Sequence, residues 1–196
     1  MGKIFCLIGK SGSGKDTIFK RLMKEDELNL KPIILYTTRP IRDNETNGVE
    51  YFFINEEQLS EYRKSGKIIE LREYNTVEGK WCYCTIDDGQ FDLAHNHYLM
   101  IATLEAYKNL KQYFGPEKVF PLYIHVDDDI RLERAIKRER QQSNPNYVEL
   151  CRRFIADHHD FNQDALKECG IVKYYVNNDL EKCVHHIKED ILAIIK

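Results

Sequence analysis

The sequence predicts an α/β fold: a mainly parallel sheet with helices on both faces, broken by a small, mostly antiparallel insertion. Three observations carry this. Short apolar runs alternate with amphipathic stretches of helical period along most of the 196 residues, the pattern of strand-helix units. A glycine-rich segment joins the first such strand to the first such helix. Between residues 40 and 90 the alternation lapses into turn signals and short β-rich runs.

The first strand is "KIFCLIG", an apolar run ending in glycine, as a buried parallel strand does. In "KDTIFKRLMKEDEL", Ile18, Leu22 and Met23 fall on one helical face. "KPIILYTTRP" reads as a second buried strand, stopped before Pro40 because proline steers the residue before it. In the insertion, Asn47-Gly48 and Glu78-Gly79 mark turns, and "VEYFFI", "KIIELREYNT" and "KWCYCTI" mark strands. The alternation then resumes: "HYLMIAT" is a strand, and "LEAYKNLKQYFG" a helix stopped by Gly115. "KVFPLYIHV" is a strand, followed by a charged helix from about Asp128, a break at "QQSNPN" and a helix restarting near Tyr147. "IVKYYVNN" is the last strand and "DLEKCVHHIKEDILAII" the last helix.

Composition bounds the function. The chain is 42% hydrophobic and 31% charged, with a net charge of -3. That is ordinary for a soluble domain and disfavours a general nucleic-acid surface. No apolar run approaches the length of a membrane helix. The six cysteines are scattered, so reduced thiols and a cytoplasmic location are expected. Neither His158/His159 nor His185/His186 can easily share a metal, because adjacent helical residues diverge by about 100°.

"GKSGSGKDT", Gly9 to Thr17, matches G-x-x-x-x-G-K at Gly9, Gly14 and Lys15. It follows a strand and opens a helix, which is where such a loop cradles phosphates. Gly9, Ser11, Gly12, Ser13 and Gly14 would aim backbone N–H groups inward, and Lys15 would meet the β and γ phosphates of a nucleotide. The fold is therefore of the phosphate-loop NTPase type. The next position usually carries a hydroxyl that meets Mg²⁺. Here it is Asp16, with Thr17 one residue late. Both are candidate Mg²⁺ ligands. Asp16 is equally explained as an acid complementing the helix dipole.

"YTTRPIRDNETNGVEYFF" supplies Arg39, Arg42 and Tyr51. Two guanidiniums and a phenol can grip one phosphate. A phosphate loop and a separate arginine grip suit two phosphorylated substrates facing each other.

Those segments, with "IIE" ending at Glu70, "YCT" at Tyr83 to Thr85 and the late "VNND", resemble the guanylate kinase family in order and spacing over nearly the whole chain. The resemblance implies an ATP-dependent kinase that needs Mg²⁺ and phosphorylates GMP or dGMP. It implies a core (1-38, 91-137 and 168-196), a monophosphate-binding lobe (39-90) and a short lid (about 138-150). Such an enzyme is expected to act as a monomer or homodimer, without a nucleic-acid or membrane partner. Carried over, Arg39, Arg42, Tyr51 and Tyr83 hold the GMP phosphate. Glu70 accepts from guanine N1–H and the exocyclic amine, and Thr85 donates to O6. For Glu70 alone, a strand carboxylate facing water explains the residue equally well.

The run "DIRLERAIKRER" and the later "CRRF" are rich in arginine. By the resemblance, Arg138 and Arg153 close over the ATP phosphates, Arg134 lies on the adenine side, and Asn177 lies near the nucleotide. Asn177 could instead cap the last helix. The chain also departs from the family. Ile101 and Thr103 stand where two aspartates are usual, and Leu35 stands for a serine near guanine. Thr103 keeps a hydrogen bond for the base side, and Glu105 could partly substitute for the lost carboxylates. These departures keep two alternatives open: a same-fold kinase for another phosphorylated acceptor, and a nucleotide-binding module without catalysis.

Overall fold

The computed structural model describes residues 1–42, 45–76 and 79–196. Five strands form a wholly parallel sheet in the order β2-β7-β1-β8-β9: β1 (Ile4–Ile8), β2 (Leu30–Pro32), β7 (His97–Ile101), β8 (Val119–His125) and β9 (Tyr174–Val176). β1 lies at the centre and every one of its residues is buried. Its alternation feeds two cores. Ile4, Cys6 and Ile8 pack with Ala106, Tyr107 and Leu110 of α3 (Leu104–Phe114) and Leu166 of α6 (Gln163–Glu168). Phe5 and Leu7 pack with Ile18 and Leu22 of α1 (Lys15–Leu22) and Val184, Ile187 and Ile191 of α7 (Leu180–Ile195). A strand covered on both faces has no polar side to spare, which is why "IFCLI" reads as an unbroken apolar run.

A second sheet has the order β4-β3-β6-β5, from β3 (Tyr36–Thr37), β4 (Phe52–Phe53), β5 (Ile68–Thr76) and β6 (Gly79–Ile86). β3 pairs antiparallel with β6, as does β5, and β3 pairs parallel with β4. Leu59 of α2 (Glu56–Lys64) joins Tyr36, Cys82, Cys84 and Ile86 in a small core of its own. The turn expected at Glu78-Gly79 falls partly on Glu78, outside the described residues.

The reading of "KPIILYTTRP" as one strand is corrected. Its first part is the edge strand β2, and its last part is β3 in the other sheet. The ladder with β7 runs one residue past Pro32, the Ile33 N–H donating to the Leu99 carbonyl at 3.2 Å, and the chain then leaves the parallel sheet for β3. Arg39 thus follows a strand of the smaller sheet rather than one of the parallel sheet. Two helices were also missed. α2 carries a reciprocal capping box, with Gln58 N–H donating to Asn55 Oδ1 and the Asn55 N–H donating to Gln58 Oε1, the N-x-x-Q variant of a known start signal. α6 starts at Asn162, whose side chain accepts from the Ala165 N–H. The helix expected from Asp128 is α4 (Asp128–Glu139), and the one near Tyr147 is α5 (Tyr147–Asp160).

Candidate active site

The phosphate loop leaves the carboxyl end of β1 and opens α1. Its turn depends on glycine at two points. Gly12 and Gly14 have φ of 80° and 88°, a region other residues enter only with strain. A Cβ on Gly14 would also lie 2.5 Å from Asn177 Nδ2. That approach is functional packing: Asn177 Nδ2 donates to the Ser13 carbonyl at 2.8 Å. The cap of α7 is instead Asp179, which accepts from the Lys182 N–H, so Asn177 is free for the loop. From the other side the Ser11 N–H donates to Asp157 Oδ2 at 2.7 Å. Lys15 curls back inside the loop, donating to the carbonyls of Gly9 (2.7 Å) and Lys10 (3.0 Å). Burial pushes its ammonium below the usual lysine range, while Asp16 and Asp157 oppose that shift.

α4 and α5 wall one side of the loop. Arg131 is buried, donating from Nε to Asp128 Oδ1 at 2.8 Å and from Nη1 to both the Ser11 carbonyl and Asp157 Oδ2 at 3.2 Å. Its guanidinium lies 3.9 Å from the centre of the Phe154 ring. Nη2 is buried with no hydrogen-bond partner among the described residues. Arg153 Nε is likewise buried and unbonded, since Glu149 Oε1 is 3.6 Å away. Arg138 and Arg153 share one small pocket with Ser11 and Arg131. Arg134 points elsewhere: its Nη2 donates to the Asn177 carbonyl at 3.0 Å. Arg131 was visible in the arginine run but had no role there. Asp157 carried no signal, being one acid among several polar residues of α5.

The second grip lies on the smaller sheet. Arg39 is buried and donates both Nη atoms to Glu45, at 2.8 and 2.7 Å. Glu45, followed by the neighbouring Tyr83 phenol, holds this guanidinium above its usual range. The guanidinium lies 5.3 Å from the Tyr51 ring centre, and the Tyr51 and Tyr83 rings meet edge-on at 5.7 Å. Burial raises the Tyr51 phenol, the Tyr83 and Asp16 charges add to that, and Arg39 and Arg72 work against it. The Arg42 side chain is exposed, while its N–H donates to Glu45 Oε2 at 2.9 Å.

Glu70 does not face water. It is 3% exposed. The β5–β6 register sets Glu70 opposite Thr85 and Arg72 opposite Tyr83. Arg72 donates from Nε to Glu70 Oε2 at 2.9 Å and from Nη2 to Oε1 at 3.3 Å, and Thr85 Oγ1 donates to Oε1 at 2.8 Å. The single hydroxyl hydrogen of Thr85 is thus committed to Glu70, not aimed at a base oxygen as the resemblance implied. Burial works against the Arg72 charge, but Glu70 and the Tyr74 phenol outweigh it and hold the guanidinium above its usual range. Thr103 caps α3 by accepting from the Ala106 N–H at 3.2 Å, and Arg72 Nη1 reaches it at 3.4 Å. Leu35 and Ile101 pack against the two cores of the parallel sheet.

Asp16 and Thr17 are exposed at the start of α1. Among the described residues the Asp16 carboxylate makes no hydrogen bond or ion pair. An open hard-oxygen donor beside a phosphate loop fits Mg²⁺. Among the same residues no group of three or more acids, histidines or cysteines could hold a metal unaided, so phosphate oxygens and water would have to complete its shell.

The sequence model of the guanylate kinase family matches residues 1–193. A guanylate kinase of Porphyromonas gingivalis is 26% identical over 201 residues, spanning 100% of this chain and 99% of its own. One of Malacoplasma penetrans is 41% identical over 73 residues, 37% of each chain. In three dimensions the chain resembles a guanylate kinase from Anaplasma phagocytophilum, with a TM-score of 0.65 and 22% identity over 98% of this chain and 85% of that one. That likeness speaks for the fold; the sequence match over nearly every residue goes further, and the chain belongs to the guanylate kinase family.

Proposed function

We propose that the protein transfers the γ-phosphoryl group of ATP to GMP, giving ADP and GDP. One observation carries this reading: a phosphate loop and a separate Arg39–Tyr51–Tyr83 grip, with a buried carboxylate, Glu70, beside the second. The loop fits the donor and the grip fits the acceptor phosphate. An oxygen of the GMP phosphate attacks the γ phosphorus as the bond to the ADP oxygen breaks. No side chain acts as nucleophile; the protein positions and neutralises. Lys15 exchanges the Gly9 and Lys10 carbonyls for β and γ oxygens. The unbonded donors of Arg131 and Arg153, with Arg138, suit the charge that develops on the moving group. The lobe built on the smaller sheet and the lid at about 138–150 close to exclude water. Asp16 and Thr17 would hold Mg²⁺, which when bound screens the triphosphate charge.

The same reading places the enzyme in the cytoplasm, as a monomer or homodimer. Its six cysteines are free and five of them are buried, as a reducing compartment allows. Among the described residues no helix is long and apolar enough to cross a membrane.

ADP release is to be measured across GMP, dGMP, AMP, CMP and UMP, with Lys15→Ala as the blank. Turnover with GMP and dGMP alone is expected. A different acceptor would indicate a repurposed kinase, and no turnover above the blank a binding module. Asp16→Ala, which removes the oxygen donor without supplying a hydroxyl, is expected to raise the Mg²⁺ concentration at half-maximal rate by about tenfold. An unchanged Mg²⁺ curve would remove Asp16 from the metal shell.

A further inference from the structure

We infer that Arg72 is a built-in stand-in for the acceptor base. It occupies Glu70 in the empty site and moves to Glu105 when GMP arrives. The inference rests on the GMP reading above.

The chemistry of the two donors is the same. Guanine presents N1–H and the C2 amine side by side, a guanidine fragment set in a ring. Arg72 presents Nε–H and Nη2–H side by side to the two oxygens of Glu70, at 2.9 and 3.3 Å. Both forks seek the same carboxylate edge. Thr85 takes a further site on Oε1. A carboxylate has about four acceptor positions, so a second two-pronged donor does not fit while Arg72 remains.

Arg72 has somewhere to go. An open cleft of about 490 Å³ runs between β5 and the start of α3, lined by Leu71, Arg72, Glu73, Tyr74 and Glu105. Glu105 is exposed, in the first turn of α3. Thr103, already 3.4 Å from Arg72 Nη1, marks the way to that helix end. Moving the guanidinium from Glu70 to Glu105 keeps the cation beside a carboxylate, and the two guanine N–H donors replace its hydrogen bonds on the buried Glu70, though not its charge.

The arrangement has an equilibrium consequence. A site that is open only part of the time binds its ligand more weakly by that fraction. The tax falls on ligands that use Glu70 and on no others.

The test is the binding of GMP, ATP and ribose 5-phosphate, by calorimetry, to wild type, Arg72→Met, Glu105→Gln and the double variant. Arg72→Met is expected to bind GMP about tenfold more tightly, as for a site open one-tenth of the time. ATP and ribose 5-phosphate are expected to bind unchanged. Glu105→Gln is expected to bind GMP severalfold more weakly, and to have no effect once Arg72 is Met. If Arg72→Met binds ATP normally but GMP no better than wild type, Arg72 is not a stand-in. If that variant does not fold, Glu105→Gln decides alone, and unchanged GMP affinity there overturns the inference. Absence of GMP turnover by the wild-type protein would instead defeat the functional reading on which this rests.

Discussion

Lys15→Met is expected to lower kcat by about three orders of magnitude, with the fold intact. Lys15 is the cation inside the loop, held against the Gly9 and Lys10 carbonyls. A preorganised donor aimed at developing charge in a water-poor site contributes about 10²–10³ in rate, and a full positive charge on transferring phosphate sits at the upper end. Methionine keeps the stem length and removes the charge. The two carbonyls lose a donor, at about 1 kcal/mol each, too little to unfold a domain of this size. ADP release with saturating GMP, alongside a melting curve, checks both halves. A loss under tenfold would mean that the loop does not hold the reacting phosphates.

Arg39→Met is expected to lower kcat/KM for GMP by about a hundredfold, mostly through KM, and to leave KM for ATP unchanged. Charge-assisted hydrogen bonds contribute about 1.5–3 kcal/mol each, and Arg39 offers two in fork geometry. Part of that is offset, because the same fork must first release Glu45, which it holds at 2.8 and 2.7 Å. Initial rates at varied GMP and varied ATP separate the outcomes. If KM for ATP rises equally, Arg39 supports the lobe's structure rather than the acceptor phosphate.

The parallel sheet and its helices were legible because both signals are local. β1 is apolar on both faces, and the loop after it has glycines where the backbone turns. The smaller sheet was less legible. An apolar run that periodicity alone reads as continuous leaves one sheet after Ile33 and enters the other at Tyr36, and nothing nearby says that Tyr36–Thr37 pairs with β6 rather than β7. α2 was hidden by a polar surface, although its capping box is written in Asn55 and Gln58. Motif spacing placed Lys15, Arg39, Tyr51, Glu70 and Tyr83. Their present partners were not legible, because they come from other strands and helices: Glu45 on Arg39, Arg72 on Glu70, Asp157 on Ser11. Arg72 is two residues from Glu70 in sequence, so it shares a strand face with it. Only the cross-strand register shows that both turn inward together.

The contact between Asn177 and Ser13 joins residues 164 positions apart. Asp157 and Ser11 are separated by 146. The groups that fix the shape of the phosphate loop follow it in the chain at long range. Contacts so distant in sequence form late, because the intervening chain must first be ordered. A nascent chain halted before β9 would have the central strand and every glycine of the loop, and still no rigid cradle for a triphosphate. Nucleotide binding therefore reports that β9 has docked beside β8, not merely that the loop has been made.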